Sequence, residues 1–135
     1  MKSALQQVHP DIQLSSDWVE LPGHQKRFMH LWSPTTNPVR GHVCIVHGLG
    51  EHGGRYVRLA PHIARQGYRV SAFDLPGHGR SSGKRGAIVS YDSLLDEVQF
   101  GLRWARHREA DLPCYLFGHS MGGNLVANYV LRRSE

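Results

Sequence analysis

A chain of 135 residues with 40% hydrophobic side chains has the size of one ordinary domain and enough apolar material for a core. The formal charge of +5 comes from Arg and Lys scattered along the chain, with no basic block and no interleaved aromatic stripe. That pattern argues against a nucleic-acid partner and favours a solvated basic surface, with attraction to anionic membrane surfaces or acidic substrates as the charge-driven alternatives. No apolar run is long enough to span a bilayer, and residues 1–7 lack the apolar core of a secretion signal, so a cytoplasmic protein is expected.

In chain order, residues 1–10 are polar, end at Pro10 and read as a loose lead-in. Residues 12–21 and 27–32 are β-prone and flank Pro22, Gly23, His24 and Gln25, which predicts an antiparallel hairpin. Residues 33–38 carry two prolines and small polar side chains, which suit a loop. The β-branched run at 42–46 then stops at His47, Gly48, Leu49 and Gly50. Tyr56, Leu59, Ala60, Ile63 and Ala64 keep helical spacing up to Gly67, with Pro61 set to shorten or kink that helix.

Residues 68–73 form the next predicted strand, and the Gly- and Pro-rich stretch after Asp74 is a loop. Ser90 or Asp92 can cap a helix over about 92–109, in which Leu95, Val98, Leu102 and Ala105 make one apolar stripe. Residues 113–117 read as a strand buried on both faces. Cys44 and Cys114 lie in separate strand runs without Cys-x-x-Cys spacing and read as buried free thiols. His47, His52 and His78 lack the carboxylate or Cys support of a metal site and are expected to organise their loops by hydrogen bonding.

The last strand runs directly into Gly118-His119-Ser120-Met121-Gly122, after which Leu125, Val126, Tyr129 and Val130 recur at helical spacing. A strand-to-helix turn of this kind lifts a hydroxyl clear of the backbone, so Ser120 reads as a nucleophile. The turn needs small neighbours, which Gly118 and Gly122 supply, and Gly123 lets the new helix lie close to the sheet. The helix N-terminus would then face negative charge developing beside Ser120. Strands and helices alternate after the hairpin, so the expected fold is α/β, with a mostly parallel sheet covered by helices on both faces. Its three glycine-rich turns, at 47–54, 74–83 and 118–123, should gather at the carboxyl ends of the strands.

These turns resemble the α/β-hydrolase superfamily, and within it the monoacylglycerol lipase and lysophospholipase branch. The resemblance is carried by His47-Gly48-Leu49-Gly50-Glu51-His52-Gly53-Gly54-Arg55-Tyr56, by residues 74–83 and by the Ser120 turn, and it covers the chain from the hairpin onward. It implies Ser120 as nucleophile and the backbone amides of Leu49 and Met121 as oxyanion hole, with Gly48 and Gly50 letting the backbone approach the substrate. It also implies that Glu51, Arg55 and His119 line a pocket for the alcohol part of a small lipid ester; an ion pair between Glu51 and Arg55 is the structural alternative. No cofactor and no metal are implied. In this superfamily the triad acid and base follow the nucleophile, yet no His follows Ser120 and the only later carboxylate is Glu135. Asp74 is therefore read as a turn residue. The expectation is a single domain over 1–135, the N-terminal half of a hydrolase truncated after the nucleophile helix, with one edge of the 113–117 strand unpaired. A serine aminopeptidase and a non-catalytic fragment or pseudoenzyme are the competing readings.

Overall fold

A computed structural model describes residues 4–35, 38–109 and 111–133. Its strands are β1 (Ala4–His9), β2 (Ile12–Leu21), β3 (Gln25–Pro34), β4 (Gly41–Val46), β5 (Tyr68–Phe73) and β6 (Cys114–Gly118). The helices are α1 (Leu59–Ala64), α2 (Tyr91–Arg108) and α3 (Met121–Arg133). All six strands form one mixed sheet in the order β1-β2-β3-β5-β4-β6. The β5-β4-β6 part is parallel, and β1, β2 and β3 form the antiparallel part.

The expected hairpin is present, with β2 paired to β3 from Ile12 opposite Pro34 to Leu21 opposite Gln25. Its turn places Gly23 at φ 76° and His24 at φ 59°. The loose lead-in is corrected: residues 4–9 are a strand lying antiparallel to β2. Ten-residue β2 offers its free backbone donors and acceptors along that edge, and a ladder of main-chain bonds does not require apolar side chains. Residues 1–3 lie outside the described residues.

Strand periodicity divides the core in two. On one face Met29, Cys44, Val46 and Phe73 pack under α2 and α3, together with Leu95, Val98, Leu102 and Leu125. On the other face Trp32, Ile45, Val70 and Ala72 pack under α1 with Tyr56, Ala60 and Ala64. Adjacent residues Cys44, Ile45 and Val46 thus serve alternate cores, as a period of two requires.

The helix expected from Tyr56 to Ala64 is split: residues 53–57 form a 3-10 turn and α1 starts only at Leu59. Pro61 falls in the first turn of α1, where its missing N–H costs no helical bond. Ser90 caps α2 in a reciprocal box, its Oγ accepting the Ser93 amide at 3.0 Å while Ser93 Oγ accepts the Ser90 amide at 3.2 Å.

The reading of 113–117 as buried on both faces is corrected too. Helices cover one face of β6, which occupies the end of the sheet, and Tyr115 and Phe117 project from the other with 49% and 38% exposure. Among the described residues β6 pairs only with β4, so its outer edge is unpaired as expected.

Candidate active site

Ser120 sits between β6 and α3 at φ 55°, one of two non-glycine residues with positive φ among those described. The left-handed conformation costs an L-residue about 1–2 kcal/mol, so the surroundings must enforce it. They do so from both sides. His119 N donates to Val46 O at 3.2 Å, Gly122 N to His119 O at 2.9 Å and Asn124 N to Ser120 O at 3.1 Å. A Cβ at Gly118 would strike the Gly122 carbonyl, and one at Gly122 would strike the carbonyls of Val46 and His47. Gly123 is the loosest of the three, 3.2 Å from Gly118 O. Ser120 itself is exposed, at the N-terminus of a 13-residue helix.

The turn after β4 lies against this serine. A Cβ on Gly48 would stand 3.2 Å from Ser120 Cβ and 3.1 Å from His119 O, so a side chain there would crowd the hydroxyl. Gly50 turns the chain at φ 74° with open space around it. Among the described residues, the amides of Leu49 and Met121 donate to no other backbone or side chain. The Leu49 side chain points outward at 58% exposure.

Glu51 joins the two turns. One carboxylate oxygen, Oε2, accepts the Gly48 amide at 2.7 Å and faces His119 Nδ1 at 3.0 Å. Burial pushes the Glu51 carboxyl up, but the His119 and Gly48 hydrogen bonds, with the charges of His119 and Arg55, outweigh it and leave the pKa below the ordinary 4.5. Arg55 is exposed and acts on Glu51 only as a nearby charge, so the ion pair considered from their spacing is replaced by Glu51 with His119.

Buried histidine and aspartate hold the base of the site. His47 Nδ1 donates to Gly48 O at 2.7 Å and its Nε2 accepts the Leu75 amide at 2.9 Å, which fixes a neutral tautomer. Burial lowers the His47 pKa against the opposing pull of the Gly48 carbonyl. Asp74 accepts the amides of Gly53 at 2.7 Å and Arg80 at 2.9 Å, which makes it the turn residue expected. His78 Nδ1 lies 3.0 Å from Pro76 O, another loop-internal bond. Sequence reasoning missed Ser81, whose hydroxyl donates to Asp74 O and accepts the Phe28 amide at 2.9 Å, and His30, 3.5 Å from Asp74. The contacts of Ser81 with Phe28 and of His30 with Asp74 carry no local signal, because the first pair is 53 residues apart in sequence and the second joins β3 to the residue that follows β5. No group of three metal-ligating side chains occurs among the described residues.

A parallel strand, a left-handed serine between glycines and a helix aimed at it, with a glycine turn from the neighbouring strand alongside, define an α/β-hydrolase. The family described as serine aminopeptidase, S33, matches residues 37–135, and the chain belongs to that family. A monoacylglycerol lipase of Mycolicibacterium smegmatis is 38% identical over 102 residues, which are 76% of this chain and 36% of that protein. A soluble variant of Saccharomyces cerevisiae monoglyceride lipase, solved with a substrate analogue, superposes with a TM-score of 0.69 at 30% identity, over 87% of this chain and 40% of that one. A thermostable Bacillus coagulans carboxyl esterase bound to glycerol gives a TM-score of 0.77 at 26% identity, over 88% of this chain and 40% of its own. The chain therefore spans between a third and two fifths of these relatives and has a monoacylglycerol-lipase-like N-terminal architecture.

Proposed function

We propose that Ser120 is the nucleophile of a carboxylic-ester hydrolase that acts on monoacylglycerols or lysophospholipids. The observation that carries this reading is the left-handed, solvent-exposed Ser120, held with its Cβ against Gly48. Its hydroxyl attacks the ester carbonyl, and the free amides of Leu49 and Met121 receive the oxyanion. Met121 stands at the N-terminus of α3, so the helix dipole adds to that field. Glu51 and His119, next to the serine and the amides, form the polar end that takes the alcohol part of the substrate; Arg55 adds positive charge nearby. A His takes the Ser120 proton and water then releases the acid from the acyl-enzyme. By the superfamily's chain order that His follows the nucleophile, and none occurs from Met121 to Glu135.

The matched family's own description favours a second reading, a serine aminopeptidase, in which the same elbow attacks an amide. Profiling a chain extended through the proposed base on p-nitrophenyl acyl esters, monoacylglycerols and amino-acid naphthylamides separates the two. Ester and monoacylglycerol turnover that disappears in Ser120→Ala is expected; naphthylamide turnover alone assigns the peptidase.

A further inference from the structure

Far from Ser120, where β4 and β5 begin and α2 ends, the protein buries a polar cluster that the proposed reaction does not use. His42 and Ser71 are fully buried, and the Glu109 side chain is 4% exposed. His42 Nε2 lies 2.8 Å from Ser71 Oγ, while Nδ1 lies 3.8 Å from Glu109 Oε1 and has no hydrogen-bond partner among the described residues. From β5, Arg69 pairs with Glu109. From α2, the Trp104 ring meets the His42 ring edge-on with centroids 6.2 Å apart, and the Arg108 guanidinium covers Trp104 at 4.1 Å. From β4 itself, Cys44 is the register partner of Ser71, and from β6 Cys114 is the register partner of His42.

The charge balance of this pocket is already complete. Glu109 carries one negative charge, and Arg69 meets it directly. A proton on His42 adds a second cation to a sealed site that Arg69 and Arg108 already make positive. The neutral ring suits the site, with Nδ1–H toward the carboxylate and Nε2 accepting from the Ser71 hydroxyl.

We propose that His42 is an acid-released latch: neutral, it ties the C-terminal end of α2 to the starts of β4 and β5, and its protonation opens that end while the turns around Ser120 stay closed. Burial, and after it the charges of Arg69 and Arg108, lower the His42 pKa from 6.5 to about 4. In the opened form the ring returns to 6.5. The opened form thus binds the extra proton between those two values, so the latch is at full strength above pH 6.5 and weakens as pH falls toward 4. The Ser120 end has its own closure, the Glu51 bridge, whose carboxyl titrates below the ordinary 4.5.

Native-state hydrogen exchange on the 135-residue chain tests this, with rates corrected for intrinsic pH dependence. From pH 7 to 4.5 the amides of Glu109, bonded to Ala105 O, and His42, bonded to Pro113 O, should lose protection by on the order of 10²-fold, while that of Asn124, bonded to Ser120 O, holds. His42→Gln, which cannot titrate, should remove the slope. Should that variant fail to fold, the imidazole carbon shift of His42 in the unmodified chain decides: it should stay at its neutral value to below pH 5. Titration of the native ring near 6.5, equal loss of protection at Asn124, or an unchanged slope in folded His42→Gln would each overturn the latch.

Discussion

Glu51 Oε2 stands 3.0 Å from His119 Nδ1, and through this contact the turn after β4 is fastened to the residue that precedes Ser120. The same oxygen holds the Gly48 amide, so one carboxylate sets the distance between two turns that are 68 residues apart in sequence. Glu51→Ala should slow acylation of Ser120 by roughly tenfold and cost about 1–2 kcal/mol of stability, since charge-assisted hydrogen bonds are lost. Glu51→Gln keeps an acceptor for the Gly48 amide and should fall between. Fluorophosphonate labelling rates and urea unfolding measure both.

Acid should act on this bridge at a lower pH than on the His42 latch. The folded Glu51 carboxyl titrates below 4.5 and Asp74 below 3.8, the latter because the His30 bond and the Arg80 and Gly53 amides outweigh its burial. A carboxylate with a depressed folded pKa contributes stability that is complete above its ordinary value and lost as pH falls through the folded one. Urea midpoints should therefore drop a second time below pH 4.5, and Asp74→Asn should shrink that drop. A variant curve that overlays the parent would remove Asp74 from the account.

Backbone contact, and not only positive φ, decides which glycines can change. Gly122→Ala drives a methyl into the Val46 and His47 carbonyls, which are fixed by the sheet, and should leave the chain unfolded or insoluble. Gly50→Ala meets nothing and should cost only the left-handed strain, about 1–2 kcal/mol, with the fold intact. Circular dichroism and thermal unfolding of the two variants make the comparison.

Much of this architecture was legible from residue pattern. The glycine clusters at 47–54, 74–83 and 118–123 announced three turns at strand ends, and the strand runs at 42–46 and 68–73 match β4 and β5 closely. What escaped lacks a local signature. β1 is held by main-chain bonds to β2, so its polar side chains gave no alternation against a core. Exposure of Tyr115 and Phe117 follows from where β6 falls in the sheet, which the apolar run at 113–117 does not encode. The choice of His119 over Arg55 as partner of Glu51 depends on two strands lying side by side; sequence spacing pointed to the residue four positions away.

A buried ion pair offers a test of the packing itself. Arg27 grips Glu97 with two bonds, Nε to Oε2 at 2.8 Å and Nη2 to Oε1 at 2.7 Å, and ties β3 to α2. Removing one partner strands the other charge, so Glu97→Leu alone should cost about 3–5 kcal/mol in urea unfolding. Adding Arg27→Met to it should recover most of the loss. Equal destabilisation by the single and double variants would mean that packing volume, and not the stranded guanidinium, sets the cost.

The claim that Ser120 is the nucleophile meets its most direct test in peptide mapping after reaction with a fluorophosphonate. A serine hydroxyl without its base keeps only the acceleration that binding and the oxyanion amides supply, so the 135-residue chain should react slowly. The adduct should nevertheless sit on Ser120 alone, disappear in Ser120→Ala, and form orders of magnitude faster once a chain extended through the proposed His is used. An adduct on another serine, or equal labelling of parent and Ser120→Ala in the extended chain, would contradict the assignment.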